Sequence, residues 1–401
     1  MIHKLLPGVI GTLVVLLAAC SSSRPPATVI TQEPWPDAVD LSYRGVSGVF
    51  PRPPELEPQV AFWRNVYGVW GLSQVVLHDD RYMNIVYEVI DLPGGAYESY
   101  TPEQQDLIRS RKEAWKYRLQ MVQSRLAGGL TLDDNDKALI AYITRSGGTS
   151  AVYGADGRLR VQRGQRERFK RGLEISGRYD ARFREIFRRA GLPEDLAYLP
   201  HVESSFRNHA RSSAGAVGVW QFTRSAAQRF MTVNAAMDER LDPVASAQGA
   251  ARYLSYAHSL LGSWPLTVTS YNHGIGGMQR AQDYHGNDFV QIVKNYDHPQ
   301  FGFASRNFYT EFLAARDVAS QPQRFFPEGL RYEPPLGWER VVLRESMPVS
   351  TIASYYGVDR SELIALNSAW TDAADADRVP VPAGTGVWLP SGTLSHGVAQ
   401  Q

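Results

Sequence analysis

The sequence predicts a mainly α protein with one small β-hairpin near its N-terminus and a small α+β module at its C-terminus. Three observations carry this: apolar residues recur at helical spacing from Val60 onward, β-rich runs are confined to a few short stretches, and Pro-rich segments separate the blocks. At roughly 100–200 residues per domain, 401 residues make about two or three domains. With 43% apolar and 21% charged residues the chain can bury a core, which excludes global disorder and a collagen-like repeat. Lys+Arg 42 against Asp+Glu 41 leaves no chain-wide field that would draw in nucleic acid or an acidic partner.

Residues 1–19 read as a secretory signal: Lys4, an apolar run from Leu5, then small residues. The run is shorter than the roughly 20 residues a membrane span needs and has Pro7 and Gly8 near its start. Leu17-Ala18-Ala19-Cys20 resembles a bacterial lipobox, and Cys20 is the only cysteine. The resemblance implies cleavage before Cys20, its lipidation, and a mature chain tethered to the outer membrane, since Ser21 matches the outer-membrane sorting default. A single cysteine also excludes an intrachain disulfide and a CxxC redox pair.

Residues 20–58, with a Ser-Ser-Ser start and eight prolines, are expected to form an extended tether. A helical region with a β-hairpin is expected over 59–158. Val60, Phe62, Trp63, Val66, Tyr67 and Trp70 fit one helix face, and Gln74-Val75-Val76-Leu77 and Met83 to Ile90 fit a hairpin. Thr101-Pro102-Glu103-Gln104 offers an N-cap with Pro in the first turn, opening a helix to about Arg125. A further helix is expected from Leu132 to Thr144.

The next domain is expected over 159–320. From Arg158 to Arg189 eleven Arg and one Lys face four acids, while Phe169, Leu173, Tyr179, Phe183 and Ile186 recur at helical spacing. The basic residues either clothe a solvated helical face or meet anionic material. From Gly191 onward a helix is expected, with Leu196, Leu199, Val202 and Phe206 as its apolar stripe. Glu203 falls on that stripe. A carboxylate there is costly unless paired, bonded or protonated, and desolvation is how a glutamate becomes an acid near neutral pH. The bland alternative is an ion pair with Arg207.

Glu203-Ser204-Ser205-Phe206 is followed by Ala214-Gly215-Ala216-Val217-Gly218-Val219-Trp220-Gln221-Phe222 and by Ser270-Tyr271-Asn272-His273-Gly274. In this order they resemble the soluble lytic transglycosylase domain, a lysozyme-like helical fold. Trp220 and the lipoprotein signal bring the resemblance to the membrane-bound lytic murein transglycosylase D group. It implies a peptidoglycan-cleaving enzyme in which Glu203 is the single catalytic carboxylate, acting as acid and then base to leave 1,6-anhydro ends. It also implies substrate contacts by Ser204, Gln221, Tyr271 and Asn272, with Ser204 either near the scissile oxygen or steadying Glu203. Gly215 and Gly218 would permit close approach of backbone in the glycan cleft. Trp220 is either core, the favoured placement, or a sugar-facing wall. Asp238, Glu239 and Asp242 are the nearest downstream acids, none at a motif position, and Asp242-Pro243 reads as an N-cap. The late-domain tyrosine of the family has no clean match. Arg306-Asn307-Phe308-Tyr309 puts Phe308 at its place, with Tyr309 one residue on.

After the Pro-rich stretch ending at Pro335, residues 336–392 resemble a LysM module, a strand-helix-helix-strand unit that binds N-acetylglucosamine-containing glycans. Leu363, Leu366 and Asn367 match, whereas Ser346-Met347-Pro348 replaces the usual Gly-Asp-Thr. No cofactor or metal is expected: the nine histidines include no HExxH, and His201 reads as a satisfied helix histidine. The expected partners are peptidoglycan strands and, through Cys20, the outer membrane, which places the chain on its periplasmic face. Two rivals stand beside the transglycosylase: a muramidase that admits water, and a wall-binding scaffold without turnover.

Overall fold

The computed structural model describes residues 48–397, so the signal segment, Cys20 and most of the expected tether lie outside the described residues. The tether expectation over 20–58 is corrected at its end, because packed structure begins by Phe50. That ring is 2% exposed, wedged between Trp264 and Phe312 at 5.4 and 4.9 Å. Next to it, Arg52 is bound by Glu57 and by the buried Asp317. Proline composition speaks for extension, but one aromatic with a pocket to fill overrides it.

Helix α1 (Glu57–Gly68) carries Pro58 in its first turn, where the missing N–H costs no helical bond. It buries Val60, Phe62, Trp63, Val66 and Tyr67, as the stripe predicts. Strands β1 (Gln74–Asp79) and β2 (Val86–Asp91) form the expected antiparallel hairpin, with a bulge at Leu77/His78. Helix α2 (Pro102–Ala127) opens on a full capping box between Thr101 and Gln104. Asp133 caps α3 (Asp134–Gly147).

A third strand was not expected. β3 (Leu159–Arg163) pairs antiparallel with the free edge of β1, giving the order β2-β1-β3. The boundary at 158/159 therefore falls at the edge of a continuous sheet. The Arg-rich stretch continues through α4 (Arg166–Ser176) and α5 (Asp180–Arg189), with Phe169, Leu173, Tyr179 and Phe183 buried. Much of its charge is met by acids from elsewhere: Arg158 by Asp79, Arg166 and Lys170 by Glu328, Arg168 by Glu98, Arg171 by Glu333. The stretch knits the N-terminal region and the 328–333 segment onto the domain.

The helix expected from Gly191 is instead a 3-10 turn (Glu194–Tyr198) leading into α6 (Leu199–Glu203), which stops at Glu203. Phe206 lies beyond the helix and is buried through a left-handed turn, Ser205 and Phe206 having φ of 51° and 60°. After α7 (Arg224–Ala227) comes α8 (Pro243–Leu261), whose N-cap Asp242 accepts from Val244 and Ala245 N–H. Then follow α9 (Trp264–His273), α10 (Ile275–His285), α11 (Phe289–Asn295), α12 (Phe303–Ser320) and α13 (Pro322–Phe325). Helix α12 is buried almost throughout from Asn307 to Val318 and packs against α1, α6 and α9.

The C-terminal module has the expected order: β4 (Glu339–Val342), α14 (Val349–Tyr356), α15 (Arg360–Leu366), a short α16 (Asp372–Asp375), then β5 (Gly386–Leu389) antiparallel to β4. It is docked, not free. Asp238 N–H donates to Ala369 O at 2.7 Å and Thr371 N–H to Ala236 O at 3.0 Å. Trp388 is 3% exposed in the main core, and its Nε1 donates to Asp242 Oδ2 at 2.8 Å. Trp388→Ala should lower stability by about 3–5 kcal/mol in urea unfolding, because a large buried ring and the partner of Asp242 are lost together.

Candidate active site

Glu203 ends α6, and its carboxyl is partly enclosed. Among the described residues no cation pairs with it. Arg207 is exposed and its Nε donates to Ser204 O at 3.1 Å, so the ion pair weighed as the alternative does not form. Burial pushes the Glu203 carboxyl up to about 8, and the carboxylate of Glu311 adds to the shift. His201, two residues earlier, is stacked on Phe169 at 4.8 Å and driven down to about 3 by burial, so it is neutral. Its Nδ1 has no hydrogen-bond partner among the described residues, contrary to the satisfied histidine expected.

Trp220 settles as core: its ring is fully buried against Phe183 and Phe187, with Nε1 donating to Pro243 O at 3.2 Å. The peptides on either side of its Cα then serve as anchors. Ser204 Oγ donates to Val219 O at 2.8 Å, and Tyr271 Oη donates to Trp220 O at 2.8 Å. Ser204 is 3% exposed, so this hydroxyl braces the loop behind Glu203, which agrees with the second of its two expected roles, steadying Glu203.

Gln221 sits at φ 49° with Nε2 donating to Ala210 O and Gly218 O at 3.1 and 2.8 Å. Such left-handed backbone in a non-glycine residue is held only by strong surroundings. The surroundings include Arg240, 6% exposed, whose guanidinium is bound by Asp238 and reaches Gly215 O and Phe222 O at 3.3 Å each. Gly218 has φ 82°, and a Cβ on it would lie 1.9 Å from Arg240 O. Its close approach is therefore to protein backbone and not to a glycan, which corrects that expectation. The three downstream acids are accounted for: Asp238 pairs with Arg240, Glu239 accepts from Thr232 N–H at 2.6 Å, and Asp242 caps α8.

Tyr271 and Asn272 lie in the last turn of α9. Asn272 Oδ1 accepts from Ser305 Oγ at 2.8 Å, so it is tied to α12 and not to Glu203. Gln221, Tyr271 and Asn272 share the wall of one cavity of about 400 Å³, which Glu203 and Ser204 do not line. The late-domain tyrosine question resolves cleanly. Phe308 stacks parallel to Tyr271 with centroids 6.5 Å apart, while Tyr309 points away and donates to Pro51 O at 2.6 Å.

Sequence reasoning missed Glu311. It lies on α12 one turn beyond Phe308, partly buried, and accepts from Tyr67 Oη at 3.3 Å. Burial raises its carboxyl to about 8 as well. The signal was present as a lone acid within Phe308-Tyr309-Thr310-Glu311-Phe312-Leu313, the same anomaly that singled out Glu203.

A helical domain closing on an unpaired carboxyl is the setting in which the comparisons fall. Residues 183–291 match the family model of the transglycosylase SLT domain. Over 188 residues the chain is 27% identical to membrane-bound lytic murein transglycosylase D of Escherichia coli K12, covering 45% of this chain and 40% of that protein. It is also 33% identical over 110 residues to an Alteromonas protein named for tributyltin chloride resistance, covering 27% of this chain and 49% of that one. The chain thus spans less than half the length of these curated relatives. Among solved structures, the lytic transglycosylase Slt of Pseudomonas aeruginosa is matched at 18% identity and TM-score 0.32, over 57% of this chain and 34% of that one.

Two outcomes follow from this geometry. Gly218→Ala should cost about 3 kcal/mol in thermal or urea unfolding, since the methyl would meet Arg240 O and the backbone is left-handed. Glu203 ionises near 4.5 when unfolded and near 8 when folded, so its contribution is intact below pH 4.5 and lost as pH rises through 8. Urea unfolding of Glu203→Gln should match wild type at the acid end of that window. At its alkaline end the variant should be more stable by on the order of 2 kcal/mol, discounted for partial exposure.

Proposed function

We propose that the chain is a lytic murein transglycosylase, cleaving the β-1,4 bond between N-acetylmuramic acid and N-acetylglucosamine without net use of water. The observation that carries this is the unpaired, protonation-prone carboxyl of Glu203 within the segment that matches the SLT family model. Glu203 gives its proton to the glycosidic oxygen as the C1–O bond breaks. The muramic C6 hydroxyl oxygen then bonds to C1, its proton passes to Glu203, and a 1,6-anhydro ring closes. Gln221 and Asn272, on the wall of the adjoining cavity, are assigned to substrate contact, where an amide offers both donor and acceptor. Tyr271 holds its register with Trp220 and shapes that wall. Ser204 acts through the Val219 anchor.

Cys20 is read as the lipid anchor that places the enzyme on the periplasmic face of the outer membrane, and residues 336–392 as a LysM-like module. One observation favours a second reading: Glu311 gives a water-using muramidase a candidate second carboxylate, as most hydrolytic glycosidases require.

Mass spectrometry of muropeptides released from purified peptidoglycan separates the readings. The expected products carry 1,6-anhydro ends and fall by at least about a hundredfold in Glu203→Gln, the usual scale for losing an acid–base group. Reducing ends that vanish in the same variant would establish hydrolysis instead. Wall binding with no product from either protein would leave a scaffold.

A further inference from the structure

The acids that meet the Arg-rich stretch leave one of its members over. Arg182, exposed on α5, lies over the Trp388 ring at 5.2 Å, and Arg340 of β4 lies over the same ring at 5.4 Å. On α8, Arg252 is exposed and spends its Nε on Phe230 O at 2.6 Å. Among the described residues no carboxylate pairs with any of these three. They line one cavity of about 1220 Å³, bordered by α5, α8 and the chain at Pro335, Leu336 and Arg340. Arg178 and Arg189 line it too, against the single acid Glu185. Arg189 already engages that acid, and Glu333 engages Arg178. Between the cations the lining is apolar, with Ile186, Val244, Ala251 and Leu336.

A structural role accounts for part of this. A guanidinium packs well on an indole face, and Arg340 also covers Gly386, where a Cβ would meet its guanidinium. One cation is enough for that ring. The second adds like charge at the same place, and Arg252 is bonded only to a carbonyl. The surplus of positive charge is therefore a property of the cavity and not of the packing.

Size and position narrow the ligand. The volume exceeds the about 300–1,000 Å³ of a small-molecule pocket, which suits a short chain better than a lone ion. The cavity also adjoins the one walled by Gln221, Tyr271 and Asn272. Arg229 and Phe230 line that second cavity. Arg229 lies over the ring of Tyr256 at 5.7 Å, and Phe230 O accepts from Arg252, so α8 presents one cavity on each side of these contacts. Arginine forks match planar carboxylates, and the apolar lining between them matches the stretch of chain that joins such groups. A concave cavity takes in a chain, whereas a layer of lipid headgroups meets an outward-facing surface.

We propose that this cavity binds a carboxylate-bearing peptide, the chemistry of the peptides appended to peptidoglycan glycan strands, with Arg182, Arg252 and Arg340 as its carboxylate partners. Delivery of that peptide by a glycan lying along Gln221 rests on the transglycosylase reading. Its recognition by the arginines does not.

The test is calorimetric titration of the full chain with peptides freed from purified peptidoglycan by an amidase. Arg182→Gln and Arg252→Gln should each weaken binding by about tenfold, the scale of one charge-assisted hydrogen bond. Amidating the peptide carboxyls should weaken it at least as much. Lys116→Gln, which removes an exposed charge outside the cavity, should leave it unchanged. Arg182 and Arg252 are exposed, so both variants should keep the wild-type thermal unfolding. Peptide that does not bind, or that binds the folded variants as well as wild type, would overturn the proposal even where wild type releases 1,6-anhydro products. Arginine-dependent peptide binding without any muropeptide product would uphold the cavity and remove the transglycosylase reading. Arginine-dependent binding to vesicles of anionic phospholipid, with none to the peptides, would overturn the proposal in favour of a headgroup site.

Discussion

The site depends on the burial of one indole. Trp220 has no exposed surface, and its ring is fixed between Phe183, Phe187 and the start of α8. With the ring immobile, the carbonyls of Val219 and Trp220 become two fixed acceptors about one residue apart. Ser204 takes one and Tyr271 the other, so the segment carrying Glu203 and the end of α9 are registered against the same short stretch of backbone. The left-handed turns at Ser205, Phe206 and Gln221 persist because these anchors leave the chain no other path.

Around that frame the electrostatics are arranged by omission. Arginines are abundant nearby in sequence, yet they are drawn off to Asp79, Glu98, Glu328 and Glu333, and Arg240 is consumed by Asp238. The groups whose charge couples to Glu203 are two tyrosines, Tyr67 and Tyr271, and the Glu311 carboxyl. A carboxyl so placed costs stability, and proteins carry such costs where function needs them. The same logic explains why Asp238, Glu239 and Asp242 were poor candidates despite their proximity in sequence: each already has a backbone or cationic partner.

Local signals were legible in the sequence, and distant ones were not. Thr101 with Gln104 and Asp242 with Pro243 announce helix starts because capping involves residues two or three apart. Glu203 stood out because it lies four residues after Leu199 and seven after Leu196, on an apolar stripe. Glu311 shows the same local anomaly, but its meaning depends on Tyr67 and Glu203, which lie far off in the chain. β3 was hidden because five residues of alternating Leu159-Arg160-Val161-Gln162-Arg163 are brief beside the helical spacing that follows. For Ser204 both directions stood open, since a hydroxyl beside a glutamate can bond forward to substrate or backward to backbone, and only the fold decides. The docking of the C-terminal module through Trp388 and Asp242 was equally invisible to periodicity.

The grip on Phe50 has a mechanical side. Phe50, Pro51 and Arg52 are fastened to Trp264 and to α12, through Phe312, Tyr309 and Asp317. α12 is also the helix that carries Glu311. Any load applied through the preceding chain therefore enters the folded body beside Glu311, on the helix that faces Glu203, and not through the loop that holds Gln221. The seat of Phe50 and the place of Glu311 are thus fixed by one and the same rigid helix.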